Sequence, residues 1–290
     1  MRTEGGRESE NVEDRRGMSP GRGPGMKFGI VGTLIALAAA WFLGIDPRVI
    51  LGVMQATQQL PGAAGSPAET GKLGAPTDAG GKFISIVLAD TEDTWTEIFR
   101  AGGAQYQPPT LVLFEQQVTS DCGIADSGAG PFYCPADRKV YIDLAFYNEL
   151  ATRFQAPGDF AQAYVLAHEV GHHVQTLLGT SDKVRAAQSR AGESERNRLQ
   201  VMMELQADCY AGIWAHHANR SRQILESGDV EEALGAASAV GDDTIQRRMQ
   251  GHVVPESFTH GSAQQRTGWF RRGLDSGELA ACDTFSAKSL

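Results

Sequence analysis

Residues 28–45, FGIVGTLIALAAAWFLGI, run without a single charged side chain. A helix needs about 20 such residues to cross the hydrocarbon of a bilayer. A helix lying on a protein core would show a polar face, and none interrupts this run. The run therefore reads as one transmembrane helix. It is longer than the roughly 7–15 apolar residues at the centre of a signal peptide, and no convincing A-x-A site follows it, which favours a retained anchor over a cleaved one. Arg15, Arg16, Arg22 and Lys27 precede the run and only Arg48 follows closely. A basic excess stays in the cytoplasm. The expectation is a single-pass protein of the cell membrane, with its N-terminus cytoplasmic and its C-terminal bulk extracytoplasmic.

That run divides the chain. Residues 1–27 mix charges with glycines and hold little that packs, so they read as a disordered cytoplasmic tail. Residues 46–81 include GAAGSPAETGKLGAPTDAGG, whose Gly, Ala, Pro and Thr content gives a flexible linker. A compact domain is expected over 82–290. The 41% hydrophobic content supports a core, and the net charge of -9 speaks against a nucleic-acid partner, which selects a basic footprint.

Within the domain, residues 83–100 read as a helix stopped by Gly102-Gly103. Thr110 to Val118 and Lys139 to Leu144 are β-branched or alternating and read as strands. A helix is expected from Asp159, as its N-cap, to Gly179, and a second long one from Glu193 to Ala218. Shorter helices follow, broken at Gly228, at Gly241 and around Pro255. The pattern is α+β, mostly helical, with a small sheet.

Cys122, Cys134, Cys209 and Cys282 all fall on the side expected to be extracytoplasmic, where disulfides persist. Cys122 and Cys134 bracket a short glycine-rich loop and are expected to pair. Cys209–Cys282 then ties the C-terminal tail to the domain. Four free thiols are the alternative. No C-x2-C is present, so the spacing does not suit a zinc finger.

The chemistry concentrates in AYVLAHEVGHHVQTLLG, residues 163–179. Polar side chains in so apolar a helix are costly unless something pairs with them. His168 and His172 are four apart and so share one helical face. Two imidazoles placed that way can converge on one Zn²⁺. Glu169 is turned about 100° around the helix, so it can flank the ion and meet a water there, as in the H-E-x-x-H pattern of zinc peptidases. Gly171 is small enough to let another segment approach. His173 points off the ligand face and reads as structural.

A third ligand is needed, with a fourth position left open. In MMELQADCYAGIWAHH, Glu204 and Asp208 again share a face. Glu204 is the favoured ligand, and Asp208 can fix the tautomer of His168. Glu193 and Glu195 lie in a charged run that suits a solvated face. His216 and His217 are adjacent and face apart.

HEVGHH followed by ELQAD, with the opening MRTEGGRESENVEDRRG, resembles the neutral zinc metallopeptidase family of bacterial membrane-anchored proteins. GPFYCPADRKVYIDL and FTHGSAQQRTGWF strengthen the resemblance, which covers nearly the whole chain. The layout is similar to the wider gluzincin-like group, whose third ligand is a Glu in an E-x-x-x-D segment. The resemblance implies a zinc-peptidase domain, with His168, His172 and Glu204 on the metal, Glu169 as catalytic base and Asp208 behind the ligands. In membrane-protein peptidases of the wider group a late T-H-x-S phrase brings a histidine near the reaction centre, and Thr259-His260-Gly261-Ser262 resembles it.

The expected activity is endopeptidase hydrolysis of peptide or protein substrates, with His260 as first candidate for the oxyanion donor and Tyr210 as a weaker second. His260 can instead be a loop residue capping the helix near Ser262. The peptide is expected to dock along a sheet edge formed by the segment between Cys122 and Cys134. A non-catalytic, membrane-tethered zinc-binding scaffold is the alternative, and Glu169 counts against it because a structural zinc site needs no base.

Overall fold

Val12 is fully buried, although it belongs to the charged phrase NVEDRR. The computed structural model describes residues 1–18, 71–287 and 290. In it Val12–Asp14 forms a strand, β1, parallel to Thr110–Phe114 (β3) and antiparallel to Lys72–Leu73 (β2). Lys139–Asp143 (β7) lies parallel to β3 on its other side, and Phe132–Cys134 (β6) closes the sheet antiparallel to β7. The strand order is β2-β1-β3-β7-β6.

The side chains of β3 alternate between two cores, as the pleat requires. Leu111 and Leu113 join Val140 and Ile142 in the main core. Val112 and Phe114 face a smaller cluster with Val118, Cys134 and Tyr141. The expected strand from Thr110 to Val118 breaks at Gln116, whose φ of 64° turns the chain. A separate hairpin of Gln117–Ser120 (β4) and Gly123–Asp126 (β5) follows. Asp143 secures the break by accepting hydrogen bonds from the Gln116 N–H and the Ser127 hydroxyl.

The helices are Ala79–Ala101 (α1), Ala145–Thr152 (α2), Asp159–Leu177 (α3), Thr180–Gln188 (α4) and Glu193–Arg222 (α5). Asp229–Ala239 (α6), Asp242–Gln250 (α7) and Ala263–Ser276 (α8) complete the set among the described residues. Helix α5 is buried without a gap from Val201 to Ala215, so Glu204, Gln206 and Asp208 are enclosed along with its apolar residues. It packs on α3 and α8 through glycines. A Cβ at Gly171 of α3 would lie 2.9 Å from the Ala207 carbonyl oxygen, and one at Gly273 of α8 would collide with that of Cys209.

Disulfides join Cys122 to Cys134 and Cys209 to Cys282. The first pins the β4–β5 hairpin to the edge strand β6. The second fastens the C-terminal tail to α5.

Three expectations are corrected. Residues 1–17 are not a disordered tail: they fold with Gly71–Leu290 as one unit, because ion pairs bury what apolar side chains alone would not. The domain begins at Gly71 and not at Lys82, since β2 and the first turn of α1 belong to it. Helix α1 is capped by the Asp78 carboxylate, which accepts from the Gly81 N–H at 3.0 Å. Asp159 is not an N-cap either. Gly158 holds that position, and the Asp159 carboxylate receives the Met1 ammonium at 2.6 Å. Residues 28–45 and the linker residues 46–70 lie outside the described residues. Among the described residues no helix is long and apolar enough to cross a membrane.

Candidate metal centre

Helix α3 presents His168, Glu169 and His172 beside Glu204 of α5. The Nε2 atoms of His168 and His172 stand 3.2 and 3.4 Å from Glu204 Oε2. Ligand atoms at about 2.0–2.1 Å from a tetrahedral Zn²⁺ are about 3.3 Å apart. Both separations therefore match one such ion, and all three donors lie within 4.8 Å of one another. Their chemistry, a carboxylate and two imidazoles that ligate in their neutral form, also suits zinc.

Both rings are oriented from behind. His168 Nδ1 lies 2.8 Å from Asp208 Oδ1, and His172 Nδ1 lies 2.9 Å from Gln175 Oε1. Each bond places the proton on Nδ1 and leaves Nε2 free for a metal. Gln175, wholly buried, donates in turn to the Met203 carbonyl at 2.8 Å and to Gln206 at 3.1 Å. The Gln200 side chain donates to Glu204 Oε1 at 2.8 Å and so aims its other oxygen at the histidines.

Asp208 is held by more than His168. Arg266 of α8 grips both its oxygens, at 2.8 and 2.9 Å, and Tyr164 donates to Oδ1 at 2.5 Å. Burial alone would raise the Asp208 pKa, but the charges of Arg266 and His168 outweigh it and hold the carboxyl at about 2. Burial likewise works against Glu204, and the His172 and His168 rings bring it well below the usual carboxylate range. Neither Arg266 nor Gln175 is among the residues expected from sequence. Arg266 did carry a signal: it precedes Trp269, Phe270 and Gly273 at helical spacing, on the face of α8 that is buried.

Glu169 and both histidines open onto a groove of about 580 Å³. Gly130, Phe132, Tyr133, Phe146, Val165 and His260 also line it. His260 reaches the groove from the loop before α8. Asp242 Oδ2 accepts the N–H groups of Thr259, His260 and Gly261 at 2.7, 2.6 and 3.0 Å, which fixes that loop. Asp242 Oδ1 lies 3.3 Å from His260 Nδ1. That hydrogen bond, opposed by burial and helped by Glu204, raises the His260 pKa. His260 does not cap α8: Ser262 does, in a capping box with Gln265.

The remaining expected candidates lie elsewhere. His173 turns to the sheet, with Nε2 2.6 Å from the Gln107 carbonyl and Nδ1 3.1 Å from the Tyr133 hydroxyl. Burial, assisted by Arg138, lowers its pKa to about 4, so it stays neutral. Tyr210 is buried edge-on to Trp95, 5.7 Å between ring centroids, and does not line the groove. His216 and His217 bond the Leu274 and Gly277 carbonyls at the end of α8. Glu193 and Glu195 are exposed in the first turn of α5. Asp159, Asp229 and Glu232 form a second acidic cluster, and the Met1 ammonium pairs with Asp159 at 2.6 Å and Asp229 at 3.4 Å.

Residues 1–285 match the family described as "Putative neutral zinc metallopeptidase". The chain is 49% identical to the Escherichia coli K12 protein named "Uncharacterized protein YpfJ", over 98% of this chain and 99% of that one. It is 39% identical to "Uncharacterized protein Rv2575" of Mycobacterium tuberculosis H37Rv, over 87% of this chain and 86% of that one. No solved structure matches it. A family match that takes in β1, the metal-site helices and the C-terminal tail places this chain in the neutral zinc metallopeptidase family.

Proposed function

We propose that the chain is a zinc-dependent endopeptidase whose metal is held by His168, His172 and Glu204. The observation that carries this is the convergence of two Nε2 atoms and one carboxylate oxygen on a groove that also exposes Glu169. Zn²⁺ bound there supplies Lewis-acid polarisation and lowers the pKa of a bound water to about 7.

The protein's own groups do the rest. Glu169 takes a proton from the attacking water and passes it to the leaving amide nitrogen. His260, oriented by Asp242, donates to the developing oxyanion. Losing one such donor costs about 10²–10³ in kcat. Asp208 holds the His168 ring, and Gln175 holds that of His172. The peptide lies along β6 as an added strand, its backbone paired with the free edge of that strand. The His173–Tyr133 hydrogen bond ties β6 to α3, and Cys122–Cys134 ties β6 to the β4–β5 hairpin.

Zinc content and cleavage of a denatured protein, measured on the parent and on Glu169→Gln, test the assignment. The variant should keep its zinc and lose about 10²–10⁴ in rate. Equal cleavage by the variant removes Glu169 from the mechanism. Zinc retained by a parent that cleaves nothing returns the chain to the scaffold alternative.

A further inference from the structure

Strands β1 and β2 are the two legs of one antiparallel pair, with Glu13 opposite Leu73 and Asp14 opposite Lys72. The chain leaves the sheet after Asp14 and returns to the same place, where the Gly71 N–H donates to Glu13 at 2.9 Å. Residues 15–70 thus begin and end at one edge of the sheet.

The first leg is no loose appendage. Strand β1 sits between β2 and β3, and the Arg15 N–H extends the pairing to the Leu113 carbonyl at 2.8 Å. Glu13 is buried and takes Arg15 and Lys139, each at 2.8 Å. Arg7 and Ser9 bond the buried Glu92 of α1 at 2.9 and 2.6 Å. Withdrawing residues 1–17 would strip Arg7, Ser9 and Asn11 from the buried Glu92, separate Glu13 from Lys139 and expose Val12. Breaking such pairs is strongly destabilising.

We infer that residues 1–17 and 71–290 occupy the same side of the membrane, and that the apolar run 28–45 makes no net crossing between them. One crossing would put β1 and β3 on opposite sides of about 30 Å of hydrocarbon, and strands cannot pair through it. A segment whose two ends lie on one side of a membrane crosses it an even number of times. Residues 49–68 are also uncharged but hold Gln55, Thr57, Gln58, Gln59, Pro61 and Pro67, so they do not supply the second apolar span that a return crossing would need.

The basic residues that favour a cytoplasmic N-terminus lose part of their weight for the same reason. Arg15 is paired with Glu13, and Arg16 with Asp14 at 2.7 Å and Asp78 at 2.6 Å. Two charges that count as free in the sequence are neutralised inside the fold. The disulfides Cys122–Cys134 and Cys209–Cys282 indicate which side is shared: the oxidising, extracytoplasmic one.

Single-cysteine labelling of the full chain tests this. Glu8 and Arg190 are both exposed and away from the groove, and all native cysteines are in disulfides. Glu8→Cys and Arg190→Cys, each in full-length protein expressed in bacterial cells, are treated as spheroplasts with a membrane-impermeant maleimide, before and after lysis. Both should react equally before lysis. Reaction of one before lysis and of the other only after it overturns the shared side. Reaction of both only after lysis supports the shared side and overturns its extracytoplasmic assignment.

Discussion

Arg266 holds Asp208 by both carboxylate oxygens in a place where neither side chain meets water. Such a pair contributes little net stability against an apolar replacement of both partners, but removing one partner leaves a bare buried charge. Arg266→Met is therefore expected to lower the unfolding free energy by about 3–5 kcal/mol. Urea unfolding of the metal-free protein measures this. A double variant, Arg266→Met with Asp208→Leu, should recover much of the loss, which separates the stranded charge from lost packing.

Asp208 also fixes the ring of His168. Its replacement by alanine should weaken zinc binding about 10–100-fold, the usual cost of removing such a partner. Competition with a chromogenic chelator reads the affinity directly, without reference to turnover.

Gly171 has no room for a side chain against Ala207. Gly171→Val should force α3 and α5 apart and cost about 1–3 kcal/mol. Because the two histidines and Glu204 sit on opposite sides of that contact, zinc affinity should fall along with Tm. A variant of normal affinity would show that the helices can separate without disturbing the donors.

Glu13 supplies a pH signature. Burial pushes its pKa up, but Arg15, Lys139 and the Gly71 N–H outweigh burial and bring it from 4.5 to about 2. The unfolded chain therefore takes up this proton first as the pH falls. The stability Glu13 contributes is present above about pH 4.5 and is lost as the pH drops toward 2, a change of about 3 kcal/mol. Glu13→Gln should be less stable than the parent at neutral pH, and the gap should close in acid. Urea midpoints at several pH values check this, and a gap independent of pH would remove the linkage.

The legibility of these features in the sequence follows from what their contacts depend on. The spacing of His168, His172, Glu204 and Asp208 is legible because helical periodicity alone sets which side chains share a face. Strands β3 and β7 are legible because both are apolar runs buried on two faces. Strand β1 is not. NVEDRR holds one apolar residue, and its burial depends on partners as distant as Lys139. Arg266 is obscured in the same way, since an arginine in an amphipathic helix reads as solvated until its carboxylate, on another helix, is known. The turn at Gln116 has no glycine or proline to announce it; a buried aspartate, Asp143, imposes it from across the sheet.

Helix α5 lies between α3 and α8 with glycines at both contacts, so it has no space in which to slide or rotate. The distance between the two halves of the metal site is therefore set by the backbone during folding. Capturing an ion needs only small side-chain adjustments, and most of the entropic cost of assembling the donors has been met before the ion arrives.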